Sequence, residues 1–281
     1  MPATAIAQNL AYINWTVLTG LALGAFAAAT LSRFASRATP GFLAFTTACA
    51  IAFGVLAWLS DGALGSPVGG SPVVTDPAWD GPRRAALALF CIAATADLVA
   101  QRTNALRRLT PLTVSSALGA ATAVLVFGAL AWGGGRFGTL PLLVQLAVLS
   151  AATGGVFAAM ILGHWYLVTP KLPEAPLLLL SRALLVVVAV QVLLFLTWIA
   201  TGAGPADAAP FAPLVGPWAL FVWLRLIVGL VFPLIVSWAA IQTARTRSME
   251  SATGLLYIDV GSIAAGTILA AGLYFGAGLL V

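Results

Sequence analysis

Leu177-Leu-Leu-Leu-Ser-Arg182-Ala-Leu-Leu-Val-Val-Val-Ala-Val-Gln191-Val-Leu-Leu-Phe-Leu-Thr-Trp198-Ile-Ala200 is a run of twenty-four residues with a single ionisable side chain. About 20 apolar residues, wound as an α-helix, cross the hydrocarbon of a bilayer. In hydrocarbon the backbone must satisfy its own hydrogen bonds, which leaves only helices and closed barrels. A barrel strand would read as about 10 residues of alternating polarity. This run does not alternate, so it is expected to be a membrane-crossing helix.

Similar runs lie on both sides. Working outward, they span Asn9 to Leu31, Phe42 to Ala63, Arg84 to Gln101, Leu112 to Trp132, Leu140 to Val168, Leu177 to Ala200, Trp218 to Thr243 and Ala252 to Leu280. Gly- and Pro-rich connections separate them, among them Leu64 to Pro82, Gly133-Gly134-Gly135, Pro170 with Pro173 and Pro176, and Gly202 to Gly216. The expectation is an all-α integral membrane protein, one polytopic domain over residues 1–281 with about eight transmembrane helices. Composition agrees. Apolar residues make up 61% of the chain, charged residues 7%, and the mean hydropathy is +1.05. Soluble domains carry about 25% charged residues. The first nine residues hold no positive charge, so the first run is expected to be a retained helix rather than a signal peptide.

The net charge of +5 would on a soluble protein raise nucleic acid as a partner. Here the basic residues sit in short connections, the pattern of membrane orientation. One set of connections holds Arg33, Arg37, Arg102, Arg107, Arg108, Lys171, Arg245 and Arg247. The other holds Arg83, Arg84 and Arg136 together with Asp61, Asp76, Asp80 and Asp207. The bias places the first set in the cytoplasm and both termini on the outer, periplasmic or extracellular, side. A prokaryotic inner membrane is the expected location. Arg83 and Arg84 dissent locally. Trp15, Trp58, Trp132, Trp198 and Trp218 fall near outer ends, and Trp165, Tyr166 and Trp238 near inner ends, as interfacial belts would. Gly20, Gly24, Gly154, Gly155, Gly261, Gly266 and Gly272 are expected to let helices approach closely, chiefly within the chain. Cys49 and Cys91 form no CxxC pair and read as apolar thiols.

Ionisable groups at membrane depth cost roughly 2.5–3.5 kcal/mol each on insertion scales, so each asks for a reason. They are Asp97, His164, Arg182, Arg225 and Asp259. Asp97, His164, Arg182 and Asp259 share a depth near the inner ends, with Gln101, Tyr166 and Tyr257 in the same layer. Two readings stand side by side. In one, Arg182 pairs with Asp97 or Asp259 and pins the bundle. In the other, His164, Trp165, Tyr166, Arg182, Asp97, Asp259 and Tyr257 form a cytoplasm-facing pocket that holds a quinone ring and passes protons. Arg225 stands apart, with Asp61 or Asn14 as candidate partners, or it snorkels. Pro233, two turns on, is expected to kink that helix. His164 is the only histidine, which excludes a bis-histidine haem within the chain. No P-loop, HExxH, GxSxG or dinucleotide fingerprint appears, and no metal site is expected.

Three functions compete. The eight-helix layout and the opening Trp15-Thr-Val-Leu-Thr-Gly20-Leu-Ala-Leu-Gly24 helix resemble NrfD/PsrC-type quinone-interacting membrane subunits. That resemblance implies a membrane subunit of a respiratory or other electron-transfer complex, with redox subunits as partners and a quinone as ligand. It assigns no residue. A proton-coupled small-molecule transporter would use Arg225, Asp97 and Asp259, although no repeat relates the two halves. A structural or assembly subunit without a site of its own would use the same polar residues as packing pins.

Overall fold

The computed structural model describes residues 1–65, 67, 70–134, 136–169 and 172–281. Gly135, Pro170 and Lys171, and the side chain of Arg136, lie outside the described residues. Among the described residues every long element is helical. A short helix, α1 (Pro2–Gln8), leads into α2 (Leu10–Ala35), α3 (Pro40–Asp61), α4 (Asp80–Arg102), α5 (Thr110–Trp132), α6 (Arg136–Val168) and α7 (Ala175–Thr201). A broken rod follows, made of α8 (Ala219–Leu226), one π-helical turn (Ile227–Val231) and α9 (Phe232–Arg245). The last helix is α10 (Met249–Ala277). Taking the broken rod as one, eight helices are long and apolar enough to cross a membrane.

The helices hold where the sequence places them, with shifts of a few residues at the ends. The largest consequence is at α2, which runs four residues past Leu31 and so carries Arg33 inside its last turn. The connection after α3 contains a 3-10 turn at Pro77–Trp79, opened by the Asp76 carboxylate, which accepts from the Ala78 N–H at 3.0 Å. At Ala277 the helix α10 ends on Gly278, whose φ of 67° lies in the left-handed region that favours glycine.

Helices α2 and α6 form the centre of the bundle, each with 67% of its most apolar window buried, against 28% for α7. Glycine sets their separation. A Cβ on Gly24 would lie 1.8 Å from the Ser150 carbonyl oxygen, and one on Gly154 would lie 2.1 Å from the Ala25 nitrogen. Gly229 and Gly266 make a second such crossing between the broken rod and α10, where a Cβ on Gly229 would come within 2.5 Å of the Gly266 Cα. These glycines pack within the chain. Gly155 and Gly261, by contrast, face open space.

Large apolar side chains point outward along the outer helices, among them Leu89, Ile92, Val186, Leu193 and Ile235. Water would not suit that surface; hydrocarbon would, and the eight spans point to a multi-pass membrane protein. One end of the bundle carries Arg37, Arg102, Arg107, Arg108, Arg245 and Arg247, all exposed, and is called the basic end below. The other end carries both ends of the described chain.

The tryptophans only partly form belts. Trp15 and Trp132 are fully buried and meet edge to face, with ring centroids 4.6 Å apart, in a core shared with Phe275 and Tyr12. The interfacial reading is therefore corrected for these two. They wall a buried arginine, described next.

Candidate functional site

Three aspartates are buried in the helices, and their partners separate their roles. Asp61, at the end of α3, accepts from Arg83 Nε at 2.8 Å, from Arg83 Nη2 at 3.3 Å and from the Trp15 indole N–H at 2.8 Å. Arg83 also donates to Asp80 at 2.7 Å, and its guanidinium lies 4.6 Å from the Trp132 ring centroid. Arg83 reads from the sequence as a loop cation, yet it is 1% exposed and belongs to the core. Its companion Arg84 lies over the Trp58 ring at 4.4 Å.

Asp97, on α4, takes both guanidinium nitrogens of Arg33, at 2.9 and 3.0 Å. Gln101 donates to it at 2.6 Å and Thr113, on α5, at 3.1 Å. The pairing of Arg182 with Asp97 or Asp259 is thus corrected. The cation for Asp97 comes from α2, because that helix extends far enough to bury Arg33 against α4. Arg182 is exposed on the outer side of α7, one residue from buried Ser181.

Asp259, on α10, is fully buried and makes no ion pair among the described residues. Ser237 of α9 donates to its Oδ2 at 2.6 Å. Ser262 lies 3.3 Å from its Oδ1 and 3.1 Å from its backbone carbonyl. One hydroxyl proton is therefore shared between two acceptors.

Arg225 is buried in the broken rod and touches neither Asp61 nor Asn14, so those expected partners are corrected too. Its Nη2 donates to the Gln191 side-chain oxygen at 2.9 Å and its Nη1 to the Gly229 carbonyl at 3.1 Å. Its Nε lies 3.4 Å from the Val281 carbonyl oxygen, which also accepts from Gln145 Nε2 at 2.8 Å. The Gly229 carbonyl is available for a local reason. In an α-helix it would accept from the N–H of residue 233, and Pro233 has none. The sequence suggests a kink at Pro233; the structure has a π-helical turn, Ile227–Val231, directly before it.

The groove with the chemistry of a binding site lies at the basic end, on the outer face between α3, α6 and α10. It encloses about 570 Å³ and is lined by Phe45, Met160, Ile161, His164, Trp165, Val168, Thr169 and Tyr257. The His164 Nδ1 and the Tyr257 hydroxyl lie 3.4 Å apart across its wall. Trp165 leans on α3, within 2.9 Å of a Cβ built on Gly41 and tilted against Phe45. Phe45, Val168 and Tyr257, which line it, are exposed, so the groove opens onto the apolar flank of the bundle. Of the seven residues that the sequence places in one pocket, the structure brings together His164, Trp165 and Tyr257. Tyr166 points the other way, buried, and donates to the Pro173 carbonyl. Asp97, Arg182 and Asp259 belong elsewhere.

Sequence reasoning missed Arg33, Arg83, Gln191, Ser237 and Ser262 as partners. Gln191 and Ser237 stand as polar residues inside long apolar runs, which is a usable signal. Arg33 and Arg83 carry none, because a cation near a helix end reads as a loop residue. Among the described residues no group of three or more His, Cys, Asp or Glu side chains is placed to hold a metal ion. No family model matches the chain, and neither a curated protein nor a solved structure is significantly similar to it.

Proposed function

We propose that this chain is a multi-pass membrane protein that binds a quinone or quinol in the groove at its basic end, as the membrane subunit of an electron-transfer complex. In this reading the basic end faces the cytoplasm, both ends of the described chain lie on the outer side, and the membrane is a prokaryotic inner membrane. The observation that carries it is the union of three properties in one place: ring-sized apolar space, an opening onto the apolar flank of the bundle, and a His164–Tyr257 hydrogen-bonding pair. Small-molecule sites are typically clefts of about 300–1,000 Å³, mostly apolar with a few placed polar groups. A quinone arrives through lipid, stacks its ring on an aromatic side chain such as Trp165, and offers carbonyl oxygens to donors. Tyr257 can donate such a bond, and His164 can donate or accept one according to its tautomer. The chain would supply the site, and redox centres would come from partner subunits. The NrfD/PsrC-type resemblance points the same way and rests on layout alone.

Short-chain quinones titrated into the purified chain in lipid nanodiscs test this through quenching of tryptophan fluorescence. Saturable binding is expected, weakened about tenfold in His164→Ala and in Tyr257→Phe, since one lost hydrogen bond of about 1.4 kcal/mol is a factor of ten. Arg182→Gln, outside the groove, should leave affinity unchanged. Quenching that does not saturate, or that is equal in all variants, removes the quinone reading.

A further inference from the structure

Each of the three buried aspartates answers the cost of burial differently. A desolvated carboxylate needs a cation or several good donors, and without them it gives up its charge. Asp61 and Asp97 each have an arginine and at least one further donor. Asp259 has no cation among the described residues: one short bond from Ser237 and half a share of Ser262 are what reach it.

We propose that Asp259, with Ser237 and Ser262, is a proton-binding site inside the α9–α10 seam. At rest the carboxyl is a neutral acid, and the seam's charge changes when that proton leaves. The 2.6 Å separation from Ser237 suits an O–H···O bond in either direction, so the site can hold the acid with its own O–H donating to the serine oxygen.

Among the described residues, all but one of the charged and titratable groups on the elements packed against α10 are engaged elsewhere. On α2, Tyr12 donates to the Gly65 carbonyl and Arg33 pairs with Asp97. On α6, His164 faces the groove and Tyr166 donates to Pro173. On α9, Arg245 is exposed at the basic end. On α10 itself, Glu250 and Tyr257 are exposed and Tyr274 donates to the Trp132 carbonyl at 2.7 Å. Arg225 remains. Its Nη1 lies 2.8 Å from a Cβ built on Gly266, seven residues from Asp259 on the same face of α10 and roughly 10 Å along the helix axis. Its acceptors are the Gln191 side-chain oxygen, the Gly229 carbonyl and the main-chain oxygen of Val281. The seam therefore places an acid without an ion-pair partner two turns from a buried cation. Removing Arg225's charge should make the proton harder to release.

This site is independent of the groove, so the quinone reading can fail without touching it. The test is infrared spectroscopy of the full chain in nanodiscs, with and without carboxyl-13C aspartate. Near neutral pH a protonated-carboxyl band that shifts with the label is expected. It should be absent in Asp259→Asn, move in frequency in Ser237→Ala, and fade as the pH is raised. Should Asp259→Asn fail to fold, the label and the Ser237→Ala shift decide the matter without it. A wild-type chain with no protonated aspartate band near neutral pH, a band that survives in Asp259→Asn, or one seen only after sodium ions are removed would overturn the proposal.

Discussion

Asp97 illustrates how far a residue can be read before its neighbours are known. Its depth and its need for a cation are both visible in the sequence, yet the identity of that cation turns on whether α2 ends at Leu31 or at Ala35, a margin that hydropathy does not resolve. The same holds for Arg182 and Tyr166: sequence fixes their height in the bilayer, whereas the rotation of each helix decides which way they point, and rotation depends on packing. The pair itself is testable. Asp97 is buried and accepts a bidentate arginine with a side chain 14% exposed. Breaking a buried pair by removing one partner leaves an uncompensated charge and costs roughly 3 kcal/mol. Asp97→Asn is therefore expected to lower thermal stability clearly in detergent. Much of that loss should return in Asp97→Asn with Arg33→Gln, because the stranded guanidinium is then gone. Additive losses in the double variant would show that Arg33 and Asp97 are not coupled. Asp259→Asn is expected to cost far less than Asp97→Asn, as it replaces a neutral acid by a neutral amide of the same shape.

At the scale of the elements, long apolar runs made the eight spans legible, and glycine spacing showed that some helices meet closely. Which glycines meet was not legible, since Gly154 and Gly155 are adjacent in the sequence and only Gly154 faces α2. The contrast gives a sharp expectation. Gly24→Ala and Gly154→Ala put a methyl group into backbone and must force α2 and α6 apart, at a cost of a few kcal/mol typical of overpacking. Gly155→Ala and Gly261→Ala meet no neighbour and replace glycine within a helix, so they should be neutral or gain about 1 kcal/mol. Unfolding midpoints of the four variants check this, and similar losses in all four would contradict the assigned crossing. The broken rod follows a comparable logic. Pro233 was readable as a disturbance of the helix, but not that the carbonyl it frees at Gly229 would be taken by Arg225, a long side chain one turn away.

For the whole molecule, orientation is the property on which the proposed site depends, because a groove at the basic end serves cytoplasmic proton exchange only if that end is inside. The eight-to-three distribution of Lys and Arg argues for it, and Arg83 and Arg84 are the local exceptions. Arg83 is shared between Asp61 and Asp80 and walled by tryptophans, so in the folded bundle it is not a free surface charge. Topology should accordingly resist Arg83→Gln, although stability should suffer from the stranded Asp61. The bias rests instead on exposed residues such as Arg102, Arg107 and Arg108. Single cysteines at exposed Ala78 and Ser248, in a chain with Cys49 and Cys91 replaced by alanine, mark the two ends. A membrane-impermeant maleimide applied to intact cells is expected to label Ala78→Cys and to reach Ser248→Cys only after permeabilisation. The reverse pattern would put the His164–Tyr257 groove at the outer surface and make its proton exchange periplasmic, while labelling of both positions in intact cells would mean that the eight apolar helices do not form a sealed bundle across the bilayer.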